Sequence, residues 1–139
     1  MKYFFALYMI TCIGMSYGQE DKVETPQIAI RIPLGETINL DGVQITFAEV
    51  LEDSRCPRTV ECVWAGRAKV KVIVQEAGSE AVSKEVIFGQ TKQDEVNNLL
   101  LSQMDDFAIK AINVTPYPEK PGDKLEYSLL IRKIRNKDQ

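Results

Sequence analysis

The stretch Ala68-Lys69-Val70-Lys71-Val72-Ile73-Val74-Gln75 places Ala68, Val70, Val72 and Val74 at every second position, with Lys69, Lys71, Ile73 and Gln75 between them. A period of two sends these sets to opposite faces of an extended chain, so one face is buried and the other mostly solvated. No helix satisfies this pattern. The same period recurs on both sides of the stretch. Upstream, Ile28, Ile30 and Ile32 alternate with Ala29 and Arg31 until Pro33 ends the run. Glu36 to Leu40 reads as a second short strand, and Asp41-Gly42 is a strong hairpin signal. Val43, Ile45 and Phe47 then share a face opposite Gln44 and Thr46. The pattern slips at Ala48-Glu49 before the apolar Val50, which predicts a bulge.

Downstream, Ala77-Gly78-Ser79 turns the chain into a strand over Val82–Phe88, with Val82, Val86 and Phe88 in phase. Gln90 to Leu101 reads either as one or two helical turns or as an irregular strand. Phe107, Ile109 and Ala111 hand over to Ile112 and Val114, and Pro116, Pro118, Pro121 and Gly122 make a rigid loop. Leu125, Tyr127, Leu129 and Ile131 form the last strand. About eight short strands with turns between them predict an all-β antiparallel sandwich, with a small β-barrel as second choice. The expected layout is a single domain over residues 27–135, a polar leader at 19–26 and a short tail at 136–139.

The first residues have the form of a secretory signal. Lys2 supplies the charge, Tyr3 to Ile10 the apolar run, and Ser16 and Gly18 the small residues before a cleavage at Gln19. A lipoprotein signal using Cys12 is the rival, but Met9-Ile10-Thr11 matches it poorly. A signal peptide over 1–18 implies export to the periplasm or outside the cell, without stable membrane insertion. Losing Lys2 takes the basic count from 17 to 16 against 20 acidic residues, a net charge of about −4. Nucleic acid is therefore a poor partner, since phosphate binding needs clustered cationic excess. The chain has no histidine. That removes His-based triads, His-ligated zinc and imidazole relays.

Cleavage removes Cys12 and leaves Cys56 and Cys62, an even pair expected to form a disulfide in an exported protein. Closing so small a loop is worth about 2–2.5 kcal/mol by the chain-entropy estimate, so the bond shapes a loop more than it holds a domain. No calcium-loop spacing is present, and a calcium site would have to be assembled across loops from Asp41, Glu49 or Asp53. Asp94-Glu95 and Asp105-Asp106 read as turn signals rather than carboxylate pairs, and Ser54 has no base beside it in sequence. Asn113-Val114-Thr115 is a glycosylation sequon placed on a strand, a location that argues against its use. No catalytic residue, metal or cofactor is expected.

Four residues are candidates for binding. Arg55 and Arg58 are candidate clamps for an anionic group, although Asp53 and Arg55 also suit a pair across the loop's neck, and Glu61 suits Arg58 or Arg67. Trp64 lies just after the second cysteine. It reads first as core packed on the sulfurs and second as an aromatic anchor. Tyr117 is held between Pro116 and Pro118, either to cover the end of the sandwich or to stack on a sugar.

The run V-L-E-D-S-R-C-P-R-T-V-E-C-V-W-A-G from Val50 to Gly66, the alternating valines after it and V-T-P-Y-P from Val114 to Pro118 resemble a group of small exported bacterial proteins of unknown function. The resemblance covers about residues 35–135. It implies an all-β exported domain and transfers no functional residue. The expected function is a non-enzymatic binding module for a protein or glycan. The alternative is a secreted protease inhibitor that inserts the Cys56–Cys62 loop, with Arg58 setting specificity. A carboxylate-based hydrolase ranks third.

Overall fold

The computed structural model describes residues 28–136, so the signal, Cys12, the leader and the last three residues lie outside the described residues. The described residues are all-β, with two four-stranded antiparallel sheets that do not close into a barrel. The elements are β1 (Ala29–Pro33), β2 (Thr37–Leu40), β3 (Val43–Asp53), β4 (Arg67–Glu76), β5 (Val82–Gly89), β6 (Leu100–Gln103), β7 (Phe107–Thr115) and β8 (Ser128–Arg135). One sheet runs β1-β8-β7-β6 and the other β2-β3-β4-β5. Nearly every strand therefore pairs with its neighbour in sequence, an up-and-down order folded into a sandwich. Two connectors join the layers. Leu34 N–H donates to Tyr127 O at 3.0 Å and Gly35 N–H to Phe47 O at 2.7 Å. On the other side, Ile87 N–H donates to Asn97 O at 3.0 Å and Ala111 N–H to Leu99 O at 2.8 Å.

The alternation seen in the sequence is the core. Val70, Val72, Ile45 and Phe47 of one sheet share a fully buried cluster with Ile109, Leu129 and Ile131 of the other. Asp41 and Gly42 both take positive φ (51° and 87°), the left-handed pair that a two-residue hairpin requires. Asn39 Oδ1 accepts the Gly42 N–H at 3.1 Å and closes that turn.

β3 carries the expected bulge between Phe47 and Glu49, and a second between Val50 and Glu52. The first bulge brings Val50 opposite Val70, and the second brings Asp53 opposite Ala68. Each slip exchanges the faces of the strand beyond it. Leu51 is thereby turned out to solvent, and Asp53 stays toward the interior at the end of the sandwich.

The fold departs from the expected pattern at Val82 and at the last strand, where β8 begins only at Ser128 and leaves Leu125 and Tyr127 in the connection. Residues 94–101 take the irregular extended form, the second of the two readings, and make no helical turns. A turn with Asp94 at φ 72° leads into an extended run that becomes β6. Val82 is in phase with Val86 but 53% exposed, whereas Ile87 on the opposite face is buried, because residues 97–99 fold back beside it. Phe47→Ala should therefore cost about 3–5 kcal/mol in urea unfolding, and Val82→Thr should stay within about 0.5 kcal/mol of wild type.

Candidate functional site

Four connections meet at one end of the sandwich: 34–36, 54–66, 90–99 and 116–127. The longest is the disulfide loop, and its neck is held by Arg55. Arg55 Nε and one terminal nitrogen grip the two oxygens of Asp53, each at 2.7 Å. The guanidinium also donates to Val114 O at 2.7 Å and Pro116 O at 3.0 Å. Asp53 accepts a further bond from the Tyr127 hydroxyl at 2.9 Å. Burial pushes the Asp53 carboxyl upward, but the Arg55 and Tyr127 hydrogen bonds outweigh it and hold the group below the usual aspartate range. Burial, then Asp53, raises the Tyr127 phenol. Arg55 is only 8% exposed, with its guanidinium committed to these partners. It pairs with Asp53 across the neck as expected, and it is a structural cation rather than an anion clamp.

The two sides of the neck continue the β3–β4 ladder, with Ser54 N–H on Arg67 O at 2.8 Å and Cys56 N–H on Ala65 O at 3.0 Å. Gly66 permits this approach. Its φ is +70°, and a Cβ there would lie 1.7 Å from Ser54 O. Ser54 Oγ donates to Glu52 at 2.9 Å and is not poised as a nucleophile. Arg67 bonds Glu52 at 2.9 Å and Glu95, so Glu61 is not its partner. Lys69 joins the same network through Glu85 at 2.7 Å and Glu95 at 3.7 Å. The Arg67 hydrogen bond, seconded by the Lys92 backbone N–H, takes the Glu95 carboxyl down to about 2. Glu52 is lowered chiefly by Arg67 and then by Ser54.

Above the neck, Cys56 and Cys62 are joined with their Cα atoms 5.9 Å apart. One side of the loop is sewn onto the proline-rich connection, which leaves β7 through a cis Thr115–Pro116 bond. Arg58 N–H donates to Pro118 O at 3.2 Å and Thr59 N–H to Glu119 O at 3.1 Å, and Thr59 Oγ1 adds a bond of 2.6 Å to Glu119 O. The Tyr117 hydroxyl donates to Cys56 O at 2.8 Å. The Arg55 and Arg58 guanidiniums lie 5.1 and 5.5 Å from its ring centroid. Tyr117 is thus the half-buried floor of the loop, engaged by two cations.

The other side is different. Among the described residues, 61–64 make no backbone–backbone hydrogen bonds, and only the disulfide and the chain itself tether them. Val63 is 89% and Trp64 76% exposed. Trp64 therefore does not pack as core on the sulfurs; it stands out from them. A hollow of about 620 Å³ lies between the disulfide, Arg58, Val60, Trp64 and Tyr117. Across Ala65 and Tyr117 a second hollow of about 390 Å³ is lined by Gly66, Phe88, Gly89, Asn97 and Asn113.

The structure thus gathers Arg58, Trp64 and Tyr117 around one surface and withdraws Arg55 beneath it. Asp41, Glu49 and Asp53 do not converge. Asp41 pairs with Lys133, and Asp53 is taken by Arg55. Among the described residues no group of three His, Cys, Asp or Glu is placed to hold a metal ion. Asn113 lies in β7, its Oδ1 accepting Val114 N–H at 2.8 Å. Sequence patterning does not single out Glu52, Arg67, Glu95 and Tyr127 as supports. A β3–β4 hairpin register offers a signal for Glu52, since Asp53 and Arg67 flank the loop.

Gly66→Ala should strain the neck by about 2 kcal/mol or more, roughly a 10 °C loss in Tm for a domain of this size. Acidification should test the Arg67 network. A carboxyl lowered to about 2 in the fold, against roughly 4.3 unfolded, stabilises fully above the unfolded value and loses that contribution as pH falls toward the folded one. The stability difference between wild type and Glu95→Gln should accordingly be largest above pH ~4.5 and shrink toward pH ~2 in denaturant titrations.

No protein-family model, no curated protein and no solved structure matches this chain. The role of this surface is therefore assigned from its geometry alone.

Proposed function

We propose that the protein is a non-enzymatic binding module, exported to the periplasm or the cell exterior, that recognises its ligand with the surface built on the Cys56–Cys62 loop. One observation carries this reading: Val63 and Trp64 stand in solvent on a loop whose base is fixed by a bidentate ion pair, a backbone ladder and a disulfide. A large aromatic presented on a rigid base gives contact area at low ordering cost. Arg58 adds its guanidinium donors beside it, and Tyr117 floors the hollow. The disulfide supports an oxidising compartment. Among the described residues no helix is long and apolar enough to cross a membrane.

A protein ligand suits the site better than a glycan, because the Tyr117 ring already carries two guanidiniums and is not a free platform for a sugar. The inhibitor reading has less support. Arg58 lies stacked on Tyr117 with its N–H bonded to Pro118 O, whereas a specificity residue must be offered extended to a protease cleft.

The test is a screen of the oxidised protein against displayed peptides, a glycan array and trypsin-like and papain-like proteases. The expected result is peptide binding that is lost in Trp64→Ala, with no micromolar protease inhibition. Binding indifferent to Trp64→Ala and Val63→Asp, or turnover abolished by changing one carboxylate, would overturn the reading.

A further inference from the structure

The two sheets arrange their charges differently. On the outer face of β4, Lys69 stands in register with Glu52 of β3, and Lys71 with Glu49 of β3 and Glu85 of β5. Each lysine there has a carboxylate across from it. The strands of the other sheet, β1, β6, β7 and β8, contain no acidic residue, yet they carry Arg31, Lys110, Arg132, Lys133 and Arg135. Alternation sends Lys133 and Arg135 to the opposite side from Arg132, and Lys133 pairs there with Asp41. Arg31, Lys110 and Arg132 share the outer face, each next in sequence to a buried core residue, Ile32, Ile109 and Ile131. None of the three makes an ion pair among the described residues. Lys110 and Arg132 are direct cross-strand partners, a placement in which like charges repel. Arg31 lies opposite Leu130, on the diagonal to Arg132 at about 7–8 Å. Arg132 Nε is buried with no hydrogen-bond partner, and native proteins seldom leave such a donor unmet.

We infer that this face binds a phosphate monoester group, held between Arg132 and Lys110 with Arg31 at its rim. No residue of the stapled loop takes part, so the site goes beyond the binding-module reading and stands apart from it. The charge count selects the ligand. Two facing cations are balanced by one group of about −1.5 to −2 charge with three acceptor oxygens, which is a phosphate monoester. A carboxylate brings one charge and two oxygens, and leaves one cation uncompensated. Arg132 grips the group edge-on, with Nε and a terminal nitrogen on two oxygens, and its unmet donor is then satisfied. Lys110 serves as a point charge on the same group. The face is a sheet surface rather than a cleft, so whatever carries the phosphate extends outward into solvent. A group held so openly is bound weakly, in about the millimolar range, and more weakly as salt rises.

Heteronuclear NMR of the oxidised protein tests this, with methyl phosphate titrated at constant ionic strength. The Arg132 Nε–H and the backbone amides of Lys110 and Arg132 should shift saturably, and acetate should not reproduce the shifts. Binding should weaken below about pH 6, where the monoester loses its second charge; the chain has no histidine to titrate in that range. Arg132→Gln should weaken binding at least about tenfold. Lys110→Glu should abolish it and raise Tm, because the new carboxylate stands opposite Arg132; the higher Tm also shows that this variant is folded. Trp64→Ala should bind methyl phosphate as wild type does. Phosphatidylcholine vesicles carrying phosphatidic acid present the same group on a lipid. Binding to both probes assigns a lipid source, and binding to methyl phosphate alone a soluble one. The absence of a saturable shift, equal shifts with acetate, or binding that survives Lys110→Glu would overturn the inference. Binding to the vesicles without methyl phosphate binding overturns it too, since that is general attraction to a charged surface.

Discussion

The bidentate pair between Arg55 and Asp53 is the contact on which the loop-bearing end of this protein depends. It joins the end of β3 and the adjoining base of the disulfide loop to the exit of β7, 59 and 61 residues further along the chain. β6 stops short of the upper part of β7, and Arg55 supplies donors to Val114 O and Pro116 O there instead. A guanidinium suits the task because it presents several donors in one plane and stays charged when buried. Two charges withdrawn from water gain little net stability as a pair, but loss of either partner strands the other at about 3–5 kcal/mol. The Tyr127 hydroxyl on Asp53 meets another of the carboxylate's acceptor sites and connects the neck to the start of β8. Geometry at the loop is therefore specified by a polar contact inside an otherwise apolar sandwich.

Asp53 occupies that position because β3 slips twice. A single bulge would have carried Val50 inward and turned Asp53 to solvent. The second restores the original phase, so a charged residue takes the inner face at the sandwich end, where the apolar layer gives way to loops. The cost is visible at Leu51, exposed on the outer face. Directly beyond, Gly66 lets the returning chain touch Ser54 backbone to backbone, which keeps the neck narrow and the loop erect.

The loop itself has a sewn half and a tethered half. Residues 58 and 59 bond the chain at 118 and 119, so that side belongs to the body of the domain. Residues 61–64 are anchored by Cys62, and there the most exposed apolar side chains of the loop are found. The disulfide therefore acts locally. By the entropy of so short a loop it adds only about 2–2.5 kcal/mol, yet it fixes where Val63 and Trp64 are held. Below it, Arg67, Lys69, Glu52, Glu85 and Glu95 form a charge network that ties the 90–99 connection to the outer face of β4.

Period-two alternation depends only on neighbouring side chains and on which face meets the apolar core, so the strands could be read from the chain alone. Val70, Val72 and Val74, the Asp41-Gly42 hairpin, the slip at Ala48-Glu49 and the pairing of Cys56 with Cys62 were legible for that local reason. The sandwich was legible as a class from the number and spacing of strands. The Asp53–Arg55 pair was legible too, as opposite charges two residues apart; the burial of Arg55 and the roles of Trp64 and Glu95 were not, because they are set by groups remote in sequence. Arg55 is buried because carbonyls 59 and 61 residues away need donors. Trp64 is exposed on the half of the loop that makes no backbone bond to the rest of the domain, while Tyr117, from the other sheet, bonds Cys56 O and floors the hollow between them. Glu95 becomes a stronger acid because Arg67 lies beside it, a contact that no local pattern in either segment encodes. Such roles arise where folding brings distant groups together, and the energies that assign them are energies of proximity.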